Sequence, residues 1–234
     1  MNDSSSSRIE APEPIGDAMS LLLLLLILGD TLFVGIHVAS KLLPGIESEL
    51  YSLKTDRGYG EFYQYTKLLW AGALLLLIAV RRHSATALCW GLLMLFLLAD
   101  DALWLHERYG ASLAETLGLP AIGGLQAADL GELVYAGGIT AVLAVGVLFC
   151  WRYDNPLWRR LSISLCVCYG ILGAFGMGLD SLDELIPAIA GPFISTLEDV
   201  GEMFAVSLMV WVAMVFASGQ LPWMAMFERR PPED

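Results

Sequence analysis

Basic residues are scarce in this chain: 13 Lys and Arg stand against 25 Asp and Glu, for a net charge of −12. Nucleic acid is gripped by clustered Lys and Arg, so this balance excludes it as a partner. Charge of either sign is also thin, at 16% of residues, where a soluble domain carries about 25%. There are three His and four Cys. Cys89, Cys150, Cys166 and Cys168 have neither C-x-x-C nor Cys/His finger spacing, and they read as buried small hydrophobes. No P-loop, G-x-S-x-G or His-Glu-x-x-His occurs, so the commonest NTPase, serine hydrolase and zinc peptidase motifs are missing.

What is present is apolar and comes in blocks. Leu68–Val80, Ala85–Ala99, Leu133–Trp151, Leu161–Leu179 and Met203–Phe227 contain no charged residue. A soluble helix needs a polar face, and these blocks have none. A helix of roughly 20 apolar residues spans a bilayer core of ~30 Å. The fold class is therefore all-α, a polytopic protein with six transmembrane helices in a lipid bilayer. Residues 1–17 read as a disordered tail, 18–218 as the transmembrane domain and 219–234 as a second tail. Helix 1 is expected over Ala18–Leu43 as a retained helix, helix 2 over Phe62–Val80 and helix 3 over Ala85–Glu107. Helices 4, 5 and 6 follow over Leu130–Trp151, Leu161–Ile186 and Phe193–Ser218. Lys67, near the start of helix 2, is expected to snorkel to the interface.

Arg81 and Arg82, then Arg152, Arg159 and Arg160, then Arg229 and Arg230 fall at one end of the predicted bundle. The positive-inside rule puts that end and both termini in the cytoplasm, with a bacterial inner membrane as the setting.

Two segments repeat. Asp129-Leu-Gly-Glu132-Leu opens helix 4, and Asp199-Val-Gly-Glu202-Met opens helix 6. Residues 85–151 and 161–218 thus read as two copies of one hairpin, parallel repeats that would build a four-helix core.

The acids gather at the end away from the arginines. Asp129, Glu198 and Asp199 fit helix N-terminal caps, where free amides and the helix dipole favour negative charge. Asp100, Asp101, Glu107 and Asp180 fall at helix C-terminal ends, where the dipole opposes them. His106 lies five and six residues from the two Asp, a poor spacing for a joint site on one straight helix. Asp30 falls close to mid-bilayer and should face protein or a water cavity. Crowded carboxylates with few cations are solvated, share protons or hold a metal. With imidazole the set suits Zn, Mn or Fe, and carboxylates alone suit Ca, Mg or Mn. No Glu-x-x-His occurs, which argues against a carboxylate-bridged di-iron bundle.

Leu-Leu-Ala-Asp100-Asp101-Ala-Leu-Trp-Leu-His106-Glu107 and Leu197-Glu198-Asp199-Val-Gly201 together resemble a group of uncharacterised bacterial multi-pass membrane proteins. That group carries D-D/E-x4-H-E at one helix end and a later acidic pattern; the likeness spans helices 3 to 6. Where the group often has Lys after the second motif, this chain has Glu202. The resemblance implies an acidic and histidine site and no particular reaction.

These readings set the expectation of a divalent metal (Zn, Mn, Fe or Ca) bound by Asp100, Asp101, His106, Glu107, Asp180, Glu198, Asp199 and Glu202. Two alternatives stand beside it: an accessory subunit among other membrane subunits of a respiratory or photosynthetic complex, and an ion or proton carrier working through Asp30. Whether the protein is an enzyme stays open.

Overall fold

Among the described residues the apolar blocks fold into six helices long enough to cross a membrane, with mean hydropathy from 1.4 to 2.4, so the chain is an integral membrane protein. The computed structural model describes residues 14–43, 49–55, 57–122, 125–185 and 191–219, without the side chains of 14–17, 180–185 and 191–192. The spanning helices are α1 (Pro14–Leu42), α2 (Tyr59–Arg82), α3 (Ala85–Leu103), α5 (Ala127–Trp151), α6 (Pro156–Leu185) and α7 (Gly191–Ser218). A short helix, α4 (Leu105–Leu117), lies between α3 and α5.

Local chemistry sets the boundaries. Ser84 Oγ accepts from Ala87 N at 3.2 Å and starts α3. Asn155 Oδ1 accepts from Leu157 N and Trp158 N at 3.0 and 3.2 Å, ahead of Pro156 in the first turn of α6. Asp129 takes the capping role expected of it, accepting from Gln126 N at 2.5 Å.

The deepest packing is between α2, α3, α6 and α7. Leu68, Ala71 and Leu75 meet Ala87, Trp90 and Met94, with Leu161, Leu165, Val206, Met209 and Ala213 completing the core. Trp90 and Ser162 are 0% exposed, and Trp90 Nε1 donates to Ser162 Oγ at 3.1 Å. The α6–α7 hairpin is the expected one. Beside it, α2 enters the core more deeply than its short apolar run suggested. Helix α5 contributes Val147 and leaves Val142, Val145, Leu148 and Phe149 exposed to lipid.

Three expectations need correction. Lys67 does not snorkel: it is 0% exposed, and its ammonium is held inside the bundle. Helix 3 does not run straight to Glu107. It ends at Leu103, Trp104 takes a left-handed backbone (φ 53), and α4 starts in a new direction. Finally, Glu198 and Asp199 are not N-terminal caps, because α7 begins at Gly191 and places them two turns inside the helix.

Helix α4 packs on α5 through two glycines. A Cβ on Gly110 would stand 2.8 Å from Glu132 N, and one on Gly131 would stand 2.7 Å from the Gly110 carbonyl carbon. Only bare backbone permits this approach, and it turns Glu132 toward the bundle interior.

Candidate functional site

The faces of α2 and α7 that meet carry polar residues in register. Gly60, Glu61, Gln64 and Lys67 lie along α2; Asp199, Glu202, Met203 and Ser207 lie along α7. Residues three or four apart share a helix face, so these form a ladder descending from the acidic end. Its lowest rung is Lys67. The Nζ donates to Asp30 Oδ1 at 2.7 Å, to the Met203 carbonyl at 2.7 Å and to Ser207 Oγ at 3.0 Å. Tyr63 offers its ring face 4.6 Å away. Asp30 therefore faces protein, as a mid-bilayer acid must.

Two cavities open above that rung. The smaller, about 50 Å3, is bordered by Glu61, Gln64, Asp101, Asp199 and Glu202, with Leu53, Gly60 and Met203. Glu61 is fixed by donors from Arg57 N and from Tyr65 OH, the latter at 3.0 Å. Gln64 Nε2 donates to Glu202 Oε2 at 3.4 Å. Asp199 Oδ2 is buried and has no hydrogen-bond partner.

The larger cavity, about 210 Å3, shares Gln64, Asp101 and Glu202 with the smaller. Asp100, His106 and Glu132 complete its polar side, and Leu68, Leu97, Leu172, Met177 and Val206 form an apolar wall. His106 Nδ1 lies 3.3 Å from Asp100 Oδ2, and Tyr135 OH donates to Asp100 Oδ1 at 3.0 Å. The bond to Asp100, and the negative charge of Asp100, Glu132 and Asp101, outweigh burial and push His106 up to about 9. At neutral pH it is an imidazolium paired with Asp100.

Of the residues expected to form a site, Asp100, Asp101, His106, Asp199 and Glu202 border one or both cavities. Glu107 is exposed on α4 and borders neither. Glu198 lies one residue before Asp199 on α7 and borders neither. The side chain of Asp180 lies outside the described residues. Glu61, Gln64 and Tyr135 were not anticipated. The spacing of Glu61, Gln64 and Lys67 along one stripe of α2 was the available signal.

The chain belongs to the family described as a domain of unknown function, DUF8692. The family match covers residues 18–218 and so takes in every residue of both cavities. No curated protein and no solved structure matches the chain. What this DUF8692 domain can do must be read from its own side chains. Among the described residues, no three His, Cys, Asp or Glu side chains converge to chelate a bare metal ion. The charged groups around the smaller cavity are all carboxylates, and no His or Cys borders it among the described residues, which suits a hard cation that keeps some of its water better than a tightly chelated zinc. His106 is engaged with Asp100 in the larger cavity.

Proposed function

We propose that this protein binds a hard divalent cation (Ca2+, Mg2+ or Mn2+) in the smaller cavity at the acidic end of its transmembrane bundle. The observation that carries the reading is Asp199 Oδ2, a buried carboxylate oxygen with no donor. A buried acceptor left alone costs roughly 1–3 kcal/mol, and more when charged, so such an atom calls for a proton, a water or a cation. Glu61, Asp101 and Glu202 border the same cavity and supply the charge to favour a cation. Its volume, about 50 Å3, leaves room for an ion with one or two water molecules. Bound there, the ion would draw α2, α3 and α7 together and neutralise their acids.

The arginine bias supports an orientation with the acidic end outside and both termini in the cytoplasm, and the setting we propose is a bacterial inner membrane. The carrier reading is weaker. From Lys67, Asp30 and Ser207 toward the basic end the next buried residues are Leu68, Ala71, Leu75, Leu26, Met209, Val210 and Ala213, none with a side-chain oxygen or charge to offer an ion. Nothing on the exposed apolar faces of α1 and α5 selects a partner helix over lipid.

The test is metal content and calcium, magnesium and manganese titrations on detergent-purified wild type, Asp199→Asn and Glu202→Gln. We expect close to one bound ion in the wild type and at least a tenfold loss of affinity in Asp199→Asn. The same substitution should raise the melting temperature of the ion-free protein, since a neutral amide replaces an unpartnered carboxylate. A wild type that binds none of the three ions, or an Asp199→Asn protein that binds them unchanged, overturns the reading.

A further inference from the structure

The larger cavity has a character the cation reading does not use. One side is charged and the other is apolar, with Leu68, Leu97, Leu172 and Val206 forming a continuous wall. A site for a simple ion has no need of such a wall, and water would gain little from it. The volume, about 210 Å3, exceeds the roughly 150 Å3 of an apolar cavity known to take benzene. On the polar side stand Asp100, Asp101, Glu132 and Glu202; His106 is the one basic side chain, and no Lys or Arg is among the described residues there.

The cavity is open rather than sealed: Gly173 lines it and is itself exposed, within the membrane-spanning stretch Pro156–Leu179. A Cβ built on Gly173 meets nothing within 4 Å, and the same holds for Gly170 on α6 and for Gly137 and Gly138 on α5. Lower down, the two helices are joined by the hydrogen bond between Thr140 and Tyr169 hydroxyls at 3.1 Å. Above that bond the four glycines leave open space along α5 and α6 among the described residues.

We infer that the larger cavity binds a small amphiphilic ammonium, an organic cation whose apolar body is about the size of a substituted benzene, which enters from the lipid phase past Gly173. The apolar body lies against Leu68, Leu97, Leu172 and Val206, and the ammonium head meets Glu132 and Glu202. A ligand of this kind partitions into the headgroup layer and so reaches the opening at Gly173.

Three probes of one shape and different charge test this: phenethylammonium, 2-phenylethanol and phenylacetate, titrated calorimetrically against the full chain in lipid nanodiscs. The expected order is phenethylammonium at least tenfold tighter than the alcohol, with no heat from phenylacetate. Gly173→Phe should abolish binding. Glu132→Gln should weaken the ammonium about tenfold and leave the alcohol unchanged. Metal content measured on the same preparations reads the divalent-cation proposal separately, because Gly173 borders the larger cavity and not the smaller. Equal affinity for ammonium and alcohol, no ammonium binding by the wild type, or full binding by Gly173→Phe would each overturn the inference.

Discussion

Lys67 Nζ lies 2.7 Å from Asp30 Oδ1, and Ser207 Oγ donates to Asp30 Oδ2 at 2.7 Å, so one charge pair ties α1, α2 and α7 together inside the membrane domain. Both charges have left water, and their attraction must offset that loss. Such a pair adds little net stability against an apolar replacement, yet breaking it strands a buried charge. Lys67→Met should therefore cost about 3–5 kcal/mol, and Lys67→Met with Asp30→Leu distinctly less. Thermal unfolding of the three proteins in one detergent checks this; a double variant as unstable as the single would refute it. Ser207→Ala should cost about 1.5–3 kcal/mol by the same readout, as the loss of a hydrogen bond to a charged group.

The glycines divide into two kinds, and substitution should separate them. Gly110→Ala or Gly131→Ala pushes a methyl into the backbone of the facing helix. We expect a loss of about 1–3 kcal/mol in each, typical of overpacking. Gly137→Ala points a methyl into open space and should change stability by under about 1 kcal/mol, with the sign favouring Ala through helix propensity. Equal losses at 131 and 137 would contradict the packing of α4 on α5.

His106 gives the protein a pH response of definite sign. Its pKa is raised from the ordinary value of 6.5 to about 9 by Asp100. A raised histidine contributes stability that is complete below about 6.5 and is lost as pH climbs through about 9. The melting temperature of the wild type should thus fall between these limits. In His106→Gln that segment of the profile should be flat, and an unchanged slope would show that another group is titrating.

The six spans were readable because a spanning helix must be apolar all round, and that leaves a mark on every residue. Depth of burial within the bundle was not. Lys67 looks like an interfacial lysine until α7 supplies the Met203 carbonyl and Ser207, which lie about 140 residues further on. The acidic end was legible as a cluster, but two inferences about its geometry failed for separate reasons. On a straight helix the six-residue spacing of Asp100 and His106 is poor for a joint site; the left-handed turn at Trp104 brings them to 3.3 Å. Trp is an uncommon residue there, and Arg57 stacked 3.9 Å over its ring holds the corner. Asp199 fits a cap only if helix 6 starts near residues 193–199, and the same D-x-G-E letters do serve in the capping box of α5. In α7 they sit two turns deeper, and a single sequence does not mark that difference.

The charge pair on α1 and α2 also bears on how the protein is made. Chains enter the membrane from the N-terminus, so Asp30 on α1 is made before Lys67 on α2, and an unpaired acid at that depth is costly. Synthesis of the next 37 residues brings Lys67 and ends that exposure. The pair then waits for α7, which brings Ser207 and the Met203 carbonyl together with Asp199 and Glu202. Without α7 the ion pair lacks its contacts to Ser207 and the Met203 carbonyl, and both cavities lose Glu202.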